Sequence, residues 1–372
     1  MHLFKRTVPH LPCTALALLL GLTPLAQAES TSEAELFQRP ALHSELAPRS
    51  LMLSVARAGQ SLVAVGERGF ILRSADNGQS WQQMPSPVSV TLTQVTFPST
   101  DQGWAVGHAG VILHSADGGL SWTSQLDGNQ AARLALDAAN QALAETPGDE
   151  AQQRVDDAQR LLEDGPDKPF LAVHFFNPQH GLVVGAYGLA FETLDGGQHW
   201  QSISARLDNP SALHLYGILD LQGTLFIAAE QGLLLRSTDQ GGHFRRIEIP
   251  ANGTLFGLLA SHQNHLLAFG LRGKIYRSED QGDSWSNIAN NQPVTLTAGL
   301  VSADGSLLLV DETGRVLRSQ DDGRSFSATA QGQNTALNGL VQTAGGGLVA
   351  AGAHGLIAFS LRDSQRSSAR EQ

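Results

Sequence analysis

The 372-residue sequence predicts an all-β fold, a seven-bladed β-propeller with Asp-box repeats and one inserted helical hairpin. Three observations predict it. A short box recurs six times, a strand–glycine turn–strand unit recurs seven times, and both keep a period near 41 residues. Self-similarity at that period is the mark of four-stranded blades arranged around an axis.

The boxes read Ser74-Ala-Asp-Asn-Gly-Gln-Ser-Trp81, Ser115-Ala-Asp-Gly-Gly-Leu-Ser-Trp122, Thr193-Leu-Asp-Gly-Gly-Gln-His-Trp200, Ser237-Thr-Asp-Gln-Gly-Gly-His-Phe244, Ser278-Glu-Asp-Gln-Gly-Asp-Ser-Trp285 and Ser319-Gln-Asp-Asp-Gly-Arg-Ser-Phe326. Their aspartates, Asp76, Asp117, Asp195, Asp239, Asp280 and Asp321, lie 41, 78, 44, 41 and 41 residues apart. One interval therefore carries extra chain. In such a box the aspartate accepts backbone N–H bonds in a tight turn, and the glycine two positions on supplies positive φ. The closing aromatic is an anchor between blades. The six aspartates are thus assigned a structural role. No box has the alternating acids and closing glutamate of a calcium loop, so no metal and no cofactor are expected.

Ahead of each box stands an apolar strand, a glycine turn and a second strand, as in Leu62-Val-Ala-Val-Gly-Glu-Arg-Gly-Phe-Ile-Leu-Arg73. The unit occurs a seventh time, Leu348-Val-Ala-Ala-Gly-Ala-His-Gly-Leu-Ile-Ala-Phe359, with no box after it. Blade seven therefore lacks its outer strand. Residues 35–40, containing Leu36-Phe37-Gln38-Arg39-Pro40, resemble the outer strand Ser80-Trp81-Gln82-Gln83-Met84-Pro85. They are expected to close the ring, with Phe37 in the place of the box aromatic and Pro40 tolerated on an edge. The propeller then spans 29–363, and the polar tail 364–372 is expected to be disordered.

The long interval, 126–168, changes composition. Ala131, Leu134, Ala135, Ala138, Ala139, Ala142 and Leu143 recur at helical spacing, Thr146-Pro147-Gly148-Asp149 breaks the pattern, and Val155, Ala158, Leu161 and Leu162 resume it. This predicts a helical hairpin between blades two and three, either an inert insertion or a partner-contacting arm. In a four-stranded meander the turn between strands two and three shares a face with the inter-blade connections. The glycine turns and the insertion are therefore expected on one face, and the boxes on the other. The turns enclose Glu67-Arg68, His108-Ala109, Ala186-Tyr187, Glu230-Gln231, Leu271-Arg272, Glu312-Thr313 and Ala353-His354. Their frames vary little and their contents vary freely. Glu67, Arg68, His108, Tyr187, Glu230, Arg272, Glu312 and His354 are the candidate partner-binding residues.

Lys5 and Arg6, an apolar stretch from Leu11 to Leu25 and Ala26-Gln27-Ala28 form a secretory signal peptide over 1–28, with cleavage expected after Ala28. The stretch is interrupted by Pro12 and Pro24 and is short for a bilayer span. The sole cysteine, Cys13, lies inside it and does not fit a lipoprotein cleavage site, so export to the periplasm without a lipid anchor is expected. Losing Lys5 and Arg6 takes the formal charge from −11 to −13. An acidic chain with only Lys168 and Lys274 as remaining lysines excludes nucleic acid and a polybasic hold on anionic lipid. No direct membrane insertion is expected after cleavage.

The strand-Gly-x-x-Gly-strand unit followed by Ser-x-Asp-x-Gly-x-Ser-Trp resembles the photosystem II stability/assembly factor family, from about Leu51 to Phe359 apart from the insertion. That family has seven-bladed propellers with bacterial-neuraminidase-type repeats, on the lumenal or periplasmic side of membranes. The resemblance implies a scaffold that binds a protein client and assists assembly of a membrane or envelope complex. It also implies a recurring arginine before the box serine, found at Arg73, Arg236, Arg277 and Arg318 and interrupted by His114, Glu192 and Phe359. These arginines either pack between blades or grip an acidic partner segment.

The rival class is a sialidase-like glycoside hydrolase, which carries the same boxes. Its chemistry needs three arginines on the substrate carboxylate and a tyrosine nucleophile activated by a glutamate. Its start motif is met only by the scrambled Phe37-Gln38-Arg39-Pro40, and Tyr187, Tyr216 and Tyr276 fall in no recognisable motif. His262 and His265, at i, i+3, lack a third ligand. A non-catalytic protein is expected.

Overall fold

The computed structural model describes residues 37–330 and 335–361. The predicted leader 1–28, residues 29–36 and the tail 364–372 lie outside them. Seven antiparallel sheets follow one another along the chain, at residues 52–84, 92–126, 170–202, 215–247, 255–288, 296–330 and 337–359. Each of the first six has four strands in simple meander order, and among the described residues the seventh has three. Inner strands of successive blades face one another all the way round, and the inner strand of blade seven meets that of blade one. The fold is the predicted seven-bladed propeller.

Six of the seven second strands are buried along their whole length, as in Ser61–Gly66, Gly103–Gly107 and Gly181–Gly185, and in the other only Thr224 is partly open. Each is flanked in its sheet and covered by blades on both faces, so it reads as a continuous apolar run. The core is correspondingly divided into clusters, most of them lying between two blades. One joins Val63, Val65 and Ile71 of blade one to Leu92, Ala105 and Leu113 of blade two. Another joins Leu62, Ala64 and Leu72 of blade one to Val341, Val349 and Ala351 of blade seven, which closes the ring. Asn338 Nδ2 adds a 3.1 Å bond to the Met52 carbonyl across that seam.

The insertion forms helices α1 (Gly128–Glu145) and α2 (Asp149–Asp164), packed on each other. Asp127 starts α1 with a reciprocal cap: its carboxylate accepts the Gln130 N–H at 2.9 Å, and Gln130 Oε1 accepts the Asp127 N–H at 3.1 Å. Ala131, with Leu134, Ala135 and Leu161, packs onto the cluster of blades two and three that holds Trp104, Phe170 and Trp200. These four residues of the apolar stripe are thus covered by the propeller itself.

Two expectations about blade seven are corrected. The segment 35–40 is no closing strand over its described part: Phe37 and Gln38 are helical, and Phe37 packs on the cluster of blades one and two. The chain then runs along the outer strand of blade one, where Ala41 N–H donates to the Ser86 carbonyl at 3.2 Å and Ser44 N–H to Gln83 Oε1 at 2.8 Å. The seventh glycine turn also differs. Gly352 pairs with Gly355 across a two-residue turn, so Leu356 stands opposite Ala351, where Ile71 stands opposite Val65 in blade one. This one-residue slip flips the side chains of the third strand and puts Phe359 in the place of the box serine.

Candidate partner-binding face

Seven equivalent bonds fix the glycine-turn face. The N–H of Glu67, His108, Ala186, Glu230, Leu271, Glu312 and Ala353 each donates to a carbonyl just ahead of the inner strand of its own blade: Leu51, Thr91, Pro169, His214, Thr254, Thr295 and Ala336. The second residue of five turns is left-handed: Arg68, Ala109, Tyr187, Gln231 and Arg272 have φ of 55–57°. The glycine after it is fixed by space as well as by angle. A Cβ on Gly69 would lie 2.0 Å from the Val88 carbonyl oxygen of the next connection. The corresponding glycine of blade two, Gly110, abuts Gly128 at the start of α1. Turns, inter-blade connections and insertion therefore share one face, as the topology predicts.

Three candidate glutamates also support the frame. Glu67 Oε1 accepts the Leu51 N–H at 3.1 Å, Glu230 Oε2 the His214 N–H at 3.0 Å, and Glu312 Oε1 the Thr295 N–H at 3.2 Å. Arg68, His108, Tyr187, Arg272 and His354 are exposed, one per turn around the ring. The structure gathers only two of the eight candidates into one cluster. Tyr187, 57% exposed, donates its backbone N–H to His214 Nδ1 at 3.2 Å, and the two rings lie 4.8 Å apart. His214 Nδ1 is 3.6 Å from Glu230 Oε2, and Lys168 Nζ, at the exit of the insertion, is 5.1 Å from the Tyr187 ring centre. Burial opposes the charge on Lys168, but Asp167 and Asp164 outweigh it and hold its pKa above the ordinary value. His214 carries no repeat signature, so the sequence did not single it out.

A second ring was not legible in sequence. Every inner strand skips one residue in its pairing near its first residue, leaving Leu53, Thr93, Leu171, Tyr216, Phe256, Thr297 and Asn338 unpaired at this face. Several of them link neighbouring blades. Thr93 Oγ1 donates to the Phe170 carbonyl at 2.7 Å, and Tyr216 meets Phe256 edge-on at 5.1 Å. Burial, and then the nearby Glu230, push the Tyr216 hydroxyl pKa up.

The opposite face carries the boxes. In the first, Asp76 accepts the Ser74 hydroxyl at 2.7 Å and the Ser80 N–H at 2.9 Å, while Ser74 Oγ accepts the Gly78 N–H at 2.8 Å. The pattern repeats at Asp117, Asp195, Asp239, Asp280 and Asp321. The recurring arginines latch one blade to the box turn of the next. Arg73 Nε donates to the Gly118 carbonyl at 3.0 Å, Arg236 Nη1 to Gln281 at 2.9 Å, and Arg277 Nε to Asp322 at 2.6 Å. Where the series breaks, Gln125 reaches the Gly196 carbonyl at 2.9 Å, and Arg206 reaches that of Gly241 at 3.4 Å. Arg318 has no box ahead of it and bonds Ser306 and Asp304 of its own blade instead.

These bonds make the boxes acid-sensitive. The Ser80 hydroxyl chiefly holds Asp76 down to about 2 from 3.8, the His199 N–H does so for Asp195, and the Ser284 hydroxyl for Asp280. Burial pushes Asp321 upward, but the Ser325 and Ser319 hydroxyls bring it down to about 2 as well. A carboxylate whose folded pKa is depressed contributes stability that is complete above its unfolded pKa and is lost as pH falls through the folded one. The urea midpoint is therefore expected to start falling near pH 4 and to keep falling toward about pH 2. An Asp76→Asn/Asp280→Asn variant should fall less steeply over that window. Parallel profiles for the two proteins would contradict the assignment.

The comparisons bear on the same features. The family model described as photosynthesis system II assembly factor YCF48 matches residues 37–148 and 156–314. The chain belongs to that family. A curated relative, the photosystem II assembly lipoprotein Ycf48 of Synechococcus sp. (strain CC9902), is 40% identical over 78 residues. That match covers 21% of this chain and 23% of the relative, so the chain spans about a quarter of the curated relative it matches. A solved structure described as YCF48 bound to D1 peptide superposes with a TM-score of 0.62 at 16% identity, covering 86% of this chain and 99% of that one. A GH74 xyloglucanase from Xanthomonas campestris superposes at 0.60 with 13% identity, covering 85% of this chain and 53% of the enzyme. At these identities both structural likenesses speak for the fold.

Proposed function

We propose that this family member is a non-catalytic, exported scaffold that holds a protein segment of a membrane or envelope complex against its glycine-turn face during assembly. The observation that carries the reading is the exposed Tyr187 ring beside the insertion, held on the glycine-turn face by the half-buried His214 and Lys168. The family supports a client that is part of a membrane complex, and the relative solved with a D1 peptide supports a protein segment as the bound group. Export rests on the leader, and the curated relative named a lipoprotein agrees with it. Among the described residues no helix is long and apolar enough to cross a membrane.

The sialidase reading is disfavoured by placement. Tyr276 is 3% exposed, wedged between blades. Tyr216 is pushed away from ionisation, and Glu230 beside it already accepts a backbone N–H. Arg73, Arg236, Arg277 and Arg318 are tied down at the opposite face. The test is capture of a client from detergent-solubilised host membranes. A Tyr187→Ala/Arg272→Glu variant should lose most of the captured protein at an unchanged melting temperature. An Asp117→Asn/Asp280→Asn variant should lose stability and keep capture while folded. Undiminished capture by the first variant would refute the face, and sugar release abolished by Tyr216→Phe would restore the enzyme.

A further inference from the structure

On the glycine-turn face, the direction of one hydrogen bond depends on a protonation state. The Tyr187 N–H donates to His214 Nδ1 at 3.2 Å. A ring nitrogen accepts only when it carries no proton, so the bond requires a neutral imidazole protonated at Nε2. His214 is the residue just ahead of the inner strand of blade four. The six residues at the same place in the other blades, Leu51, Thr91, Pro169, Thr254, Thr295 and Ala336, have no ionisable side chain. The titratable acceptor is therefore unique in the ring.

The groups around it are few. Glu230 Oε2 lies 3.6 Å from Nδ1 and also accepts the His214 N–H at 3.0 Å. The Tyr187 ring lies 4.8 Å from the imidazole. Lys168 Nζ, paired with Asp164 and Asp167, is 5.1 Å from the centre of that tyrosine ring. Tyr216, two residues along the inner strand, also senses Glu230. Asp208, earlier in the same connection, is turned to the outer strand of blade four, where it accepts the Arg246 N–H at 3.4 Å. The adjoining inner strand of blade five starts Leu255-Phe256-Gly257 and brings no charge.

A second proton reverses the contact. Nδ1–H then repels the Tyr187 N–H and has its acceptor in Glu230, a short ring rotation away. Tyr187 loses both its bond and the ring it lies against. The turn itself is expected to persist, because Arg68, Ala109, Gln231 and Arg272 hold the same φ in turns with no histidine acceptor. What changes is the placement of the exposed tyrosine ring.

We propose that His214 is a positioning residue of the client face, whose protonation frees the Tyr187 ring and weakens the hold on the client. The inference rests on the reading of Tyr187 as a client contact given above. Binding is complete while the imidazole is neutral and falls as pH drops through its titration, between about pH 8 and 5.

The test has two arms, and the first needs no client. Amide and imidazole NMR shifts of the full chain are followed from about pH 8 to 5. The Tyr187 amide should titrate together with the His214 ring, whereas the amide of Arg272, at the same place in the turn of blade five, should not. In His214→Asn, Oδ1 stands where Nδ1 stood and accepts at any pH, so the Tyr187 amide should be flat. A flat Tyr187 amide in the unaltered protein would overturn the coupling. The second arm titrates the protein into detergent-solubilised host membranes at about pH 7.5 and about pH 5.5. The concentration for half-maximal capture should rise about fivefold in acid, the factor that one net hydrogen bond is worth. In His214→Asn the ratio between the two pH values should be about one, whatever the absolute level. An equal rise in both proteins would overturn the switch. A titrating Tyr187 amide with no capture at either pH would overturn the client reading and the release with it, but not the coupling of Tyr187 to His214.

Discussion

Replacing Arg277 with alanine is expected to destabilise the propeller by about 3–5 kcal/mol, the cost of leaving a buried charge without its partner. The side chain is 4% exposed, and its Nη2 lies 2.5 Å from Asp322 Oδ2, itself on a side chain 9% exposed. Its Nε also holds the Asp322 carbonyl at 2.6 Å, so one residue joins blade five to the box of blade six. Alanine would leave the Asp322 carboxylate buried with His265 and the Ser261 hydroxyl beside it and no guanidinium. The comparison is Arg318→Ala. Its partner Asp304 is 55% exposed, and water replaces the lost bonds, so about 1 kcal/mol or less is expected. Urea unfolding of the two variants measures the difference. Equal midpoints would mean that the inter-blade latch contributes nothing beyond a surface ion pair.

Deleting residues 130–164 through a short glycine linker is expected to leave the seven blades folded and to cost about 2–4 kcal/mol. Folding should persist because the ends of the insertion already touch: a Cβ on Gly128 would lie 2.7 Å from Pro166 Cβ. The cost follows from uncovering part of the cluster around Trp104, Phe170 and Trp200, on which Ala131, Leu134, Ala135 and Leu161 lie. Circular dichroism and a melting curve read both effects. An unchanged melting temperature would show that this contact contributes no stability, whereas loss of the β signal would make the insertion a folding element. Capture of the client should also fall, since the deletion removes the wall beside Lys168 and Tyr187.

The repeating features were legible because repetition averages out local exceptions. Six boxes and seven glycine turns specified blade number, strand order and the two faces, and the helical spacing of Ala131, Leu134 and Ala135 gave the insertion. Single, unrepeated contacts were not legible. Phe37 looked like an outer-strand aromatic, yet residues 41–44 bond to Gln83 and Ser86 and carry the segment along blade one. The seventh turn keeps the Gly-x-x-Gly frame of its counterparts, yet its hairpin is shorter, and the slip decides which side chains face outward. The arginine series was read with two outcomes open, and the carbonyls of Gly118, Gln281 and Asp322 favour the packed one. Glu67, Glu230 and Glu312 looked like free recognition residues because no one-dimensional pattern reveals that each accepts an N–H 16 or 17 residues away.

The central claim is that a client is held on the glycine-turn face. The most direct measurement is site-specific photo-crosslinking in intact host cells, with the probe placed at Tyr187 or Arg272 on that face and at His199 or His243 on the box face. All four residues are exposed, so access is comparable. One discrete crosslinked membrane protein is expected from Tyr187 and Arg272, absent from His199 and His243. Crosslinks to that protein from the box positions alone would contradict it.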